Sequence, residues 1–156
     1  MGNVLNLTEW EYPEHVHQEL CDLLRINPRV FIVPDAIRDL FADHLGEPDM
    51  NETEAFSDEY NNIVYFYSPL WSPEYRMWLI FHEMFHSRQY FDHGNAAGER
   101  WQSLTAPQME VAWEKEANEF ADTYSGSGKL DKDFKRYVKP ETKKKPEPKP
   151  RRKTKK

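Results

Sequence analysis

Cysteine occurs only once, at Cys21, in a chain of 156 residues. A single thiol forms no intramolecular disulfide, which excludes a disulfide-built scaffold and predicts a reducing, cytoplasmic setting. Cys21 itself reads as a small buried apolar residue on the first helix. No apolar run approaches the ~20 residues that span a bilayer. Met1 to Asn6 lacks a basic start and a long apolar stretch, so no secretory signal is expected. No internal repeat is visible. Aromatic residues, by contrast, make up 14% of the chain, enough to fill the core of one domain with rings.

Charge is unevenly placed. Residues 139 to 156 hold ten Lys/Arg and two Glu, a balance of +8, which leaves −14 for residues 1 to 138 out of the total of −6. From Pro140 onward no residue is apolar. Such a segment buries too little surface to offset its chain entropy, and a disordered basic tail is expected over 139–156. The folded domain is expected over 1–138, ending in a short helical stretch around Leu130 to Tyr137.

Within that domain the apolar spacing predicts a helix over Pro13 to Arg25, a strand over Arg29 to Val33 and a second helix over Pro34 to Leu45. Ala55 to Ser57 and Ile63 to Tyr67 read as paired strands about the turn Asp58 to Asn62. The stronger of the two, Ile63 to Tyr67, is also a candidate edge for an added peptide strand. Ser72-Pro73-Glu74 has a capping hydroxyl followed by proline, a helix start. That helix is expected to reach about Tyr90 and stop near Gly94. Its apolar residues surround the axis, as in a buried helix. The last helix is expected over Pro107 to Tyr124. Together these elements predict an α+β fold with a small antiparallel or mixed sheet.

The buried helix carries His82-Glu83-Met84-Phe85-His86, an H-E-x-x-H sequence. Histidines four apart lie one turn apart on one face, about 6 Å along the axis. Both imidazoles can bind one metal ion, and Glu83, turned aside by ~100°, can serve a bound water as general base. A catalytic zinc usually takes three protein ligands and keeps one position open. On the following helix, Met109, Ala112, Trp113, Ala117, Phe120 and Tyr124 form an apolar stripe. Glu116 projects into it, Glu119 lies at its edge, and Glu114 points away. A carboxylate on a core-facing stripe is costly unless a cation meets it, so Glu116 is the leading third ligand. Asp92, His93 and Glu119 are the alternatives. Pairing of Glu116 with Arg76 or Arg88 is the plainer reading of that residue. His15, His17 and His44 lack partner spacing and read as surface or capped histidines.

The two motifs together, H-E-x-x-H and then Glu116-Ala117-Asn118-Glu119-Phe120-Ala121 thirty residues after His86, resemble the ImmA/IrrE-type metallopeptidases, cytoplasmic zinc proteases of bacteria and phages. The resemblance covers residues 14 to 124. It implies a zincin-like fold, Zn2+ held by His82, His86 and Glu116, and Glu83 as catalytic base. The expected activity is zinc-dependent cleavage of a protein or peptide. The donor of a hydrogen bond to the developing oxyanion is left open among Tyr124, Tyr90, His93 and Arg88. The basic tail suggests non-specific contact with nucleic acid. The competing reading is a non-catalytic protein of the same fold, regulatory or nucleic-acid-associated, of SprT-like or phage type.

Overall fold

The computed structural model describes residues 3–38, 40, 53–94 and 96–126. In chain order the elements are β1 (Val4–Asn6), α1 (Glu14–Leu24), β2 (Arg29–Pro34), a 3-10 turn (Asp35–Ile37), β3 (Ala55–Ser57), β4 (Asn62–Tyr67), α2 (Pro73–His93), a second 3-10 segment (Ala96–Trp101) and α3 (Ala106–Tyr124). The fold is α+β, with one mixed sheet. Beyond its first residues, the helix expected over Pro34 to Leu45 lies outside the described residues. So do the stretch 130–137, the tail 139–156 and His44.

The sheet runs β1-β2-β4-β3. β1, β2 and β4 are parallel, with Val30 beside Ile63 and Ile32 beside Tyr65. β3 is antiparallel to β4, pairing Ala55 with Tyr65 and Ser57 with Ile63. β4 is therefore an interior strand, and the expectation that it offers a free edge is corrected. Its five residues Ile63 to Tyr67 are all buried, as an apolar run covered on both faces should be. Among the described residues, the edge strand on that side is β3.

Ile63, Tyr65 and Tyr67 point to the helical layer, while Val64 and Phe66 meet Val33 and Phe56 on the opposite face. Over the first face lie Leu20 and Leu24 of α1, Ile80, Met84 and Phe85 of α2, and Phe120 and Tyr124 of α3. Phe120 stacks on Phe85 with centroids 4.6 Å apart. α2 begins as its sequence predicts. The Ser72 hydroxyl accepts from the Tyr75 amide, Pro73 takes the first turn, and Gly94 follows the last residue. α3 begins with a reciprocal cap, in which Thr105 accepts from the Gln108 amide and the Gln108 side chain accepts from the Thr105 amide.

His17 departs from its expected surface setting. It is fully buried, and its ring lies 2.9 Å from the Tyr12 hydroxyl and 3.5 Å from Cys21 Sγ. Burial lowers the His17 pKa and pushes the Cys21 thiol up to about 11. Both are neutral core groups, which agrees with the expected reading of Cys21.

Candidate metal centre

α2 sets His82 and His86 on one face, one turn apart. Their Nε2 atoms are 3.0 Å apart, and the rings are nearly perpendicular at 89°. Trp78 stacks on His82 at 4.8 Å. Trp113, from α3, lies parallel to His86 at 6.3 Å. Both histidines are buried, so each ring is held by packing before any ligand arrives.

The carboxylate that joins them is Glu114. Its Oε1 is 3.4 Å from His82 Nε2 and its Oε2 is 3.2 Å from His86 Nε2. One donor atom from each of His82, His86 and Glu114 falls within 4.8 Å of the others, a group that can hold a metal ion. Glu114 is 54% exposed, so the group sits at the mouth of a cleft, within reach of solvent. The cleft measures about 310 Å³. Its walls include Thr53 to Ser57 along β3 on one side and Trp113 and Glu114 on the other, with Tyr90 beside them.

Glu116, the expected ligand, is not part of this group. Its carboxylate receives Arg100 through Nε and Nη2, at 3.1 Å each, and the Gln89 amide at 3.0 Å. The physical reason is angular. Two residues along a helix are turned by ~200°, so Glu114 and Glu116 cannot both face the histidines. Periodicity selected the carboxylate nearer the core, whereas the cleft that His82 and His86 line opens at the rim of the helix pair. No local signal marks Glu114, whose place beside Trp113 over His86 is set only by the packing of α3 on α2. Of the alternatives, Asp92 is buried and paired with Arg88 at 2.9 Å and Arg100 at 3.4 Å. His93 packs against Trp101 and Trp113, and Glu119 is exposed. Arg88 is spent on Asp92 and the Leu24 carbonyl.

Glu83 is buried beside the donor group, its Oε2 4.0 Å from His82 Nε2. The Ser57 hydroxyl, on edge strand β3, lies 2.8 Å from Glu83 Oε1 and 3.1 Å from the Glu83 carbonyl. Burial raises the Glu83 pKa, against the opposing pull of His86, His82 and Ser57. Hydrogen bonds from His82 and His86 hold the Glu114 carboxyl well below the usual carboxylate range. Burial disfavours a charged His86, but Glu114, Glu83 and Gln89 outweigh it and raise its pKa in the metal-free site. Of the four candidate oxyanion donors, Tyr90 lines the cleft, while Tyr124 is buried in the core.

No protein-family model matches the chain, and no curated protein or solved structure matches it. Among the described residues, no helix is long and apolar enough to cross a membrane.

Proposed function

We propose that this chain is a zinc-dependent peptidase in which His82, His86 and Glu114 hold the metal and Glu83 is the general base. The observation that carries this reading is the convergence of the three donors with Glu83 beside them in an open cleft. Two imidazoles and a carboxylate suit zinc. A tetrahedral zinc with ~2.0–2.1 Å bonds has ligand atoms ~3.3 Å apart. Here the two imidazole nitrogens are 3.0 Å apart, and the Glu114 carboxylate places one oxygen 3.4 Å from His82 Nε2 and the other 3.2 Å from His86 Nε2. Three protein ligands leave a fourth position for solvent, the arrangement of catalytic rather than structural sites.

A dication held there by His82, His86 and Glu114 would polarise a carbonyl and acidify water. The chain's own residues do the rest. Ser57 ties down Glu83 Oε1 and leaves Oε2 toward the donors. Oε2 then takes the proton of the attacking water and delivers it to the departing amine. The raised pKa of Glu83 suits both transfers, since a base works best when its pKa approaches the working pH. An extended peptide can add to the open edge of β3, which runs along the cleft wall and directs the chain toward Glu83. Tyr90 can donate to the oxyanion from the other side. The resemblance to ImmA/IrrE-type metallopeptidases supports the same chemistry with the third ligand moved to Glu114. We place the protein in the cytoplasm, consistent with its single buried thiol.

The test combines elemental analysis with cleavage of labelled, unfolded casein and a peptide library. The wild type should carry one zinc per chain and cleave. Glu83→Gln should keep zinc and lose cleavage by ~10²-fold or more, and Glu114→Ala should lose zinc. Cleavage that survives Glu83→Gln would overturn the mechanism. A zinc-loaded wild type that cleaves nothing in the library would overturn the peptidase reading in favour of a non-catalytic metal protein.

A further inference from the structure

Gln89 stands between the candidate metal centre and an ion-pair cluster behind it. Its Oε1 lies 2.7 Å from His86 Nδ1. Its Nε2 donates to the Trp113 carbonyl and to Glu116 Oε1, each at 3.0 Å. A backbone carbonyl only accepts, so the amide nitrogen of Gln89 must be the atom that faces Trp113 and, beside it, Glu116. The amide oxygen must then face His86. An oxygen there accepts, so His86 Nδ1 carries a proton, and Nε2, 3.2 Å from Glu114, becomes the metal-binding nitrogen once it gives up its own proton.

We infer that Gln89 is a positioning residue for metal binding, and that Glu116 and Arg100 set the direction of its amide. This rests on the reading of His86 as a ligand. Glu116 is fixed by the two-pronged grip of Arg100. Arg100 is itself fixed by the Trp101 ring, 3.7 Å from its guanidinium carbon, and by Asp92. The path runs from the 3-10 segment through α3 to α2, so three elements determine one imidazole tautomer. It also gives Glu116 a role: it acts on the metal through Gln89 and His86 without touching it. Partners behind a ligating histidine typically matter by ~10–100-fold in metal affinity.

The experiment has two readouts. The first is zinc affinity by chelator competition. The second is the ¹⁵N imidazole shifts of His86 in metal-free, alkaline solution, read in a Glu114→Ala background so that no carboxylate competes for the proton at Nε2. With Gln89 and Glu116 in place, that background should show the Nδ1-protonated tautomer. Gln89→Ala should lose ~10–100-fold in affinity and populate the Nε2-protonated form. Glu116→Ala should move both readouts in the same direction by a smaller amount. Glu116→Gln, which keeps an acceptor for Gln89, should restore both to near wild type. Because Glu116 is partly exposed, these two variants keep the test readable should Gln89→Ala fold poorly. An unchanged His86 tautomer in Glu116→Ala would overturn the inference, as would failure of Glu116→Gln to restore it. The tautomer is read without metal or substrate, so its result stands apart from whether the protein proves to be a peptidase.

Discussion

At the scale of single residues, the site separates what a motif states from what only packing decides. His82, Glu83 and His86 were legible because helical spacing alone puts the two rings on one face and the glutamate beside them. Glu114 was not, because the choice between it and Glu116 depends on how α3 rotates against α2. That rotation is set by contacts such as Phe120 on Phe85 and Trp113 beside His86, which no local pattern contains. Ser57 was likewise hidden, since a serine at a strand end carries no signature until the strand is placed against α2. Its hydroxyl meets the Glu83 carboxylate and stabilises the charged form. In Ser57→Ala that support disappears and the Glu83 pKa rises. A hydrogen bond to a charged group is worth ~1.5–3 kcal/mol and one pK unit is ~1.4 kcal/mol. The acidic limb of the kcat/KM profile should therefore move up by about one to two pH units, with zinc content unchanged. A profile that stays in place would show that Ser57 does not orient the base.

At the scale of elements, capping chemistry and periodicity carried most of the fold. Ser72-Pro73 opens α2 where it should, and Asp58 to Asn62 turns β3 into β4. Three features escaped. β1 is only three residues long and forms through pairing with β2, a partner distant in sequence. The rank of β4 in the sheet follows from its parallel alignment with β2, so its strong apolar signal marked an interior strand and not an edge. The 3-10 segment Ala96–Trp101 was also unforeseen, and it carries Arg100. It packs so closely on the end of α2 that a Cβ at Gly98 would lie 2.5 Å from the Asp92 carbonyl oxygen and 2.9 Å from His93 Cα. Those are backbone atoms and cannot swing aside. Gly98→Ala should destabilise the metal-free protein by ~1–3 kcal/mol in urea denaturation and displace Arg100. Gly94→Ala is the control: its Cβ would meet only the Phe91 carbonyl at 3.7 Å, and it should be far milder. Equal effects at the two positions would rule out the close approach as the cause.

At the scale of the whole molecule, a metal bound by His82 and His86 from α2 and Glu114 from α3 would clasp two helices already joined by apolar packing and by the Gln89 and Trp78 hydrogen bonds. Free zinc at 100 times its Kd adds ~2.7 kcal/mol to the folded state. For a chain of this size each kcal/mol raises Tm by roughly 2–4 °C, so a rise of roughly 5–10 °C is expected. Glu114→Ala should abolish that rise. Its dependence on pH follows from the shifted groups. In the metal-free protein His86 has a raised pKa and Glu114 a lowered one. The His86 contribution to stability is present below the unfolded-state pKa of histidine and fades as pH rises through the folded value. The Glu114 contribution is present above the unfolded-state pKa of glutamate and fades only as pH falls through its depressed value. Between these limits the metal-free site is held by its own ion pair, and zinc must displace the imidazolium proton to enter, at about tenfold in affinity per pH unit. The zinc-induced rise in Tm should therefore be small in mild acid and grow toward neutral and alkaline pH. Scanning calorimetry with and without zinc across that range measures it. A rise that stays constant across it would mean that zinc binds elsewhere than at His86.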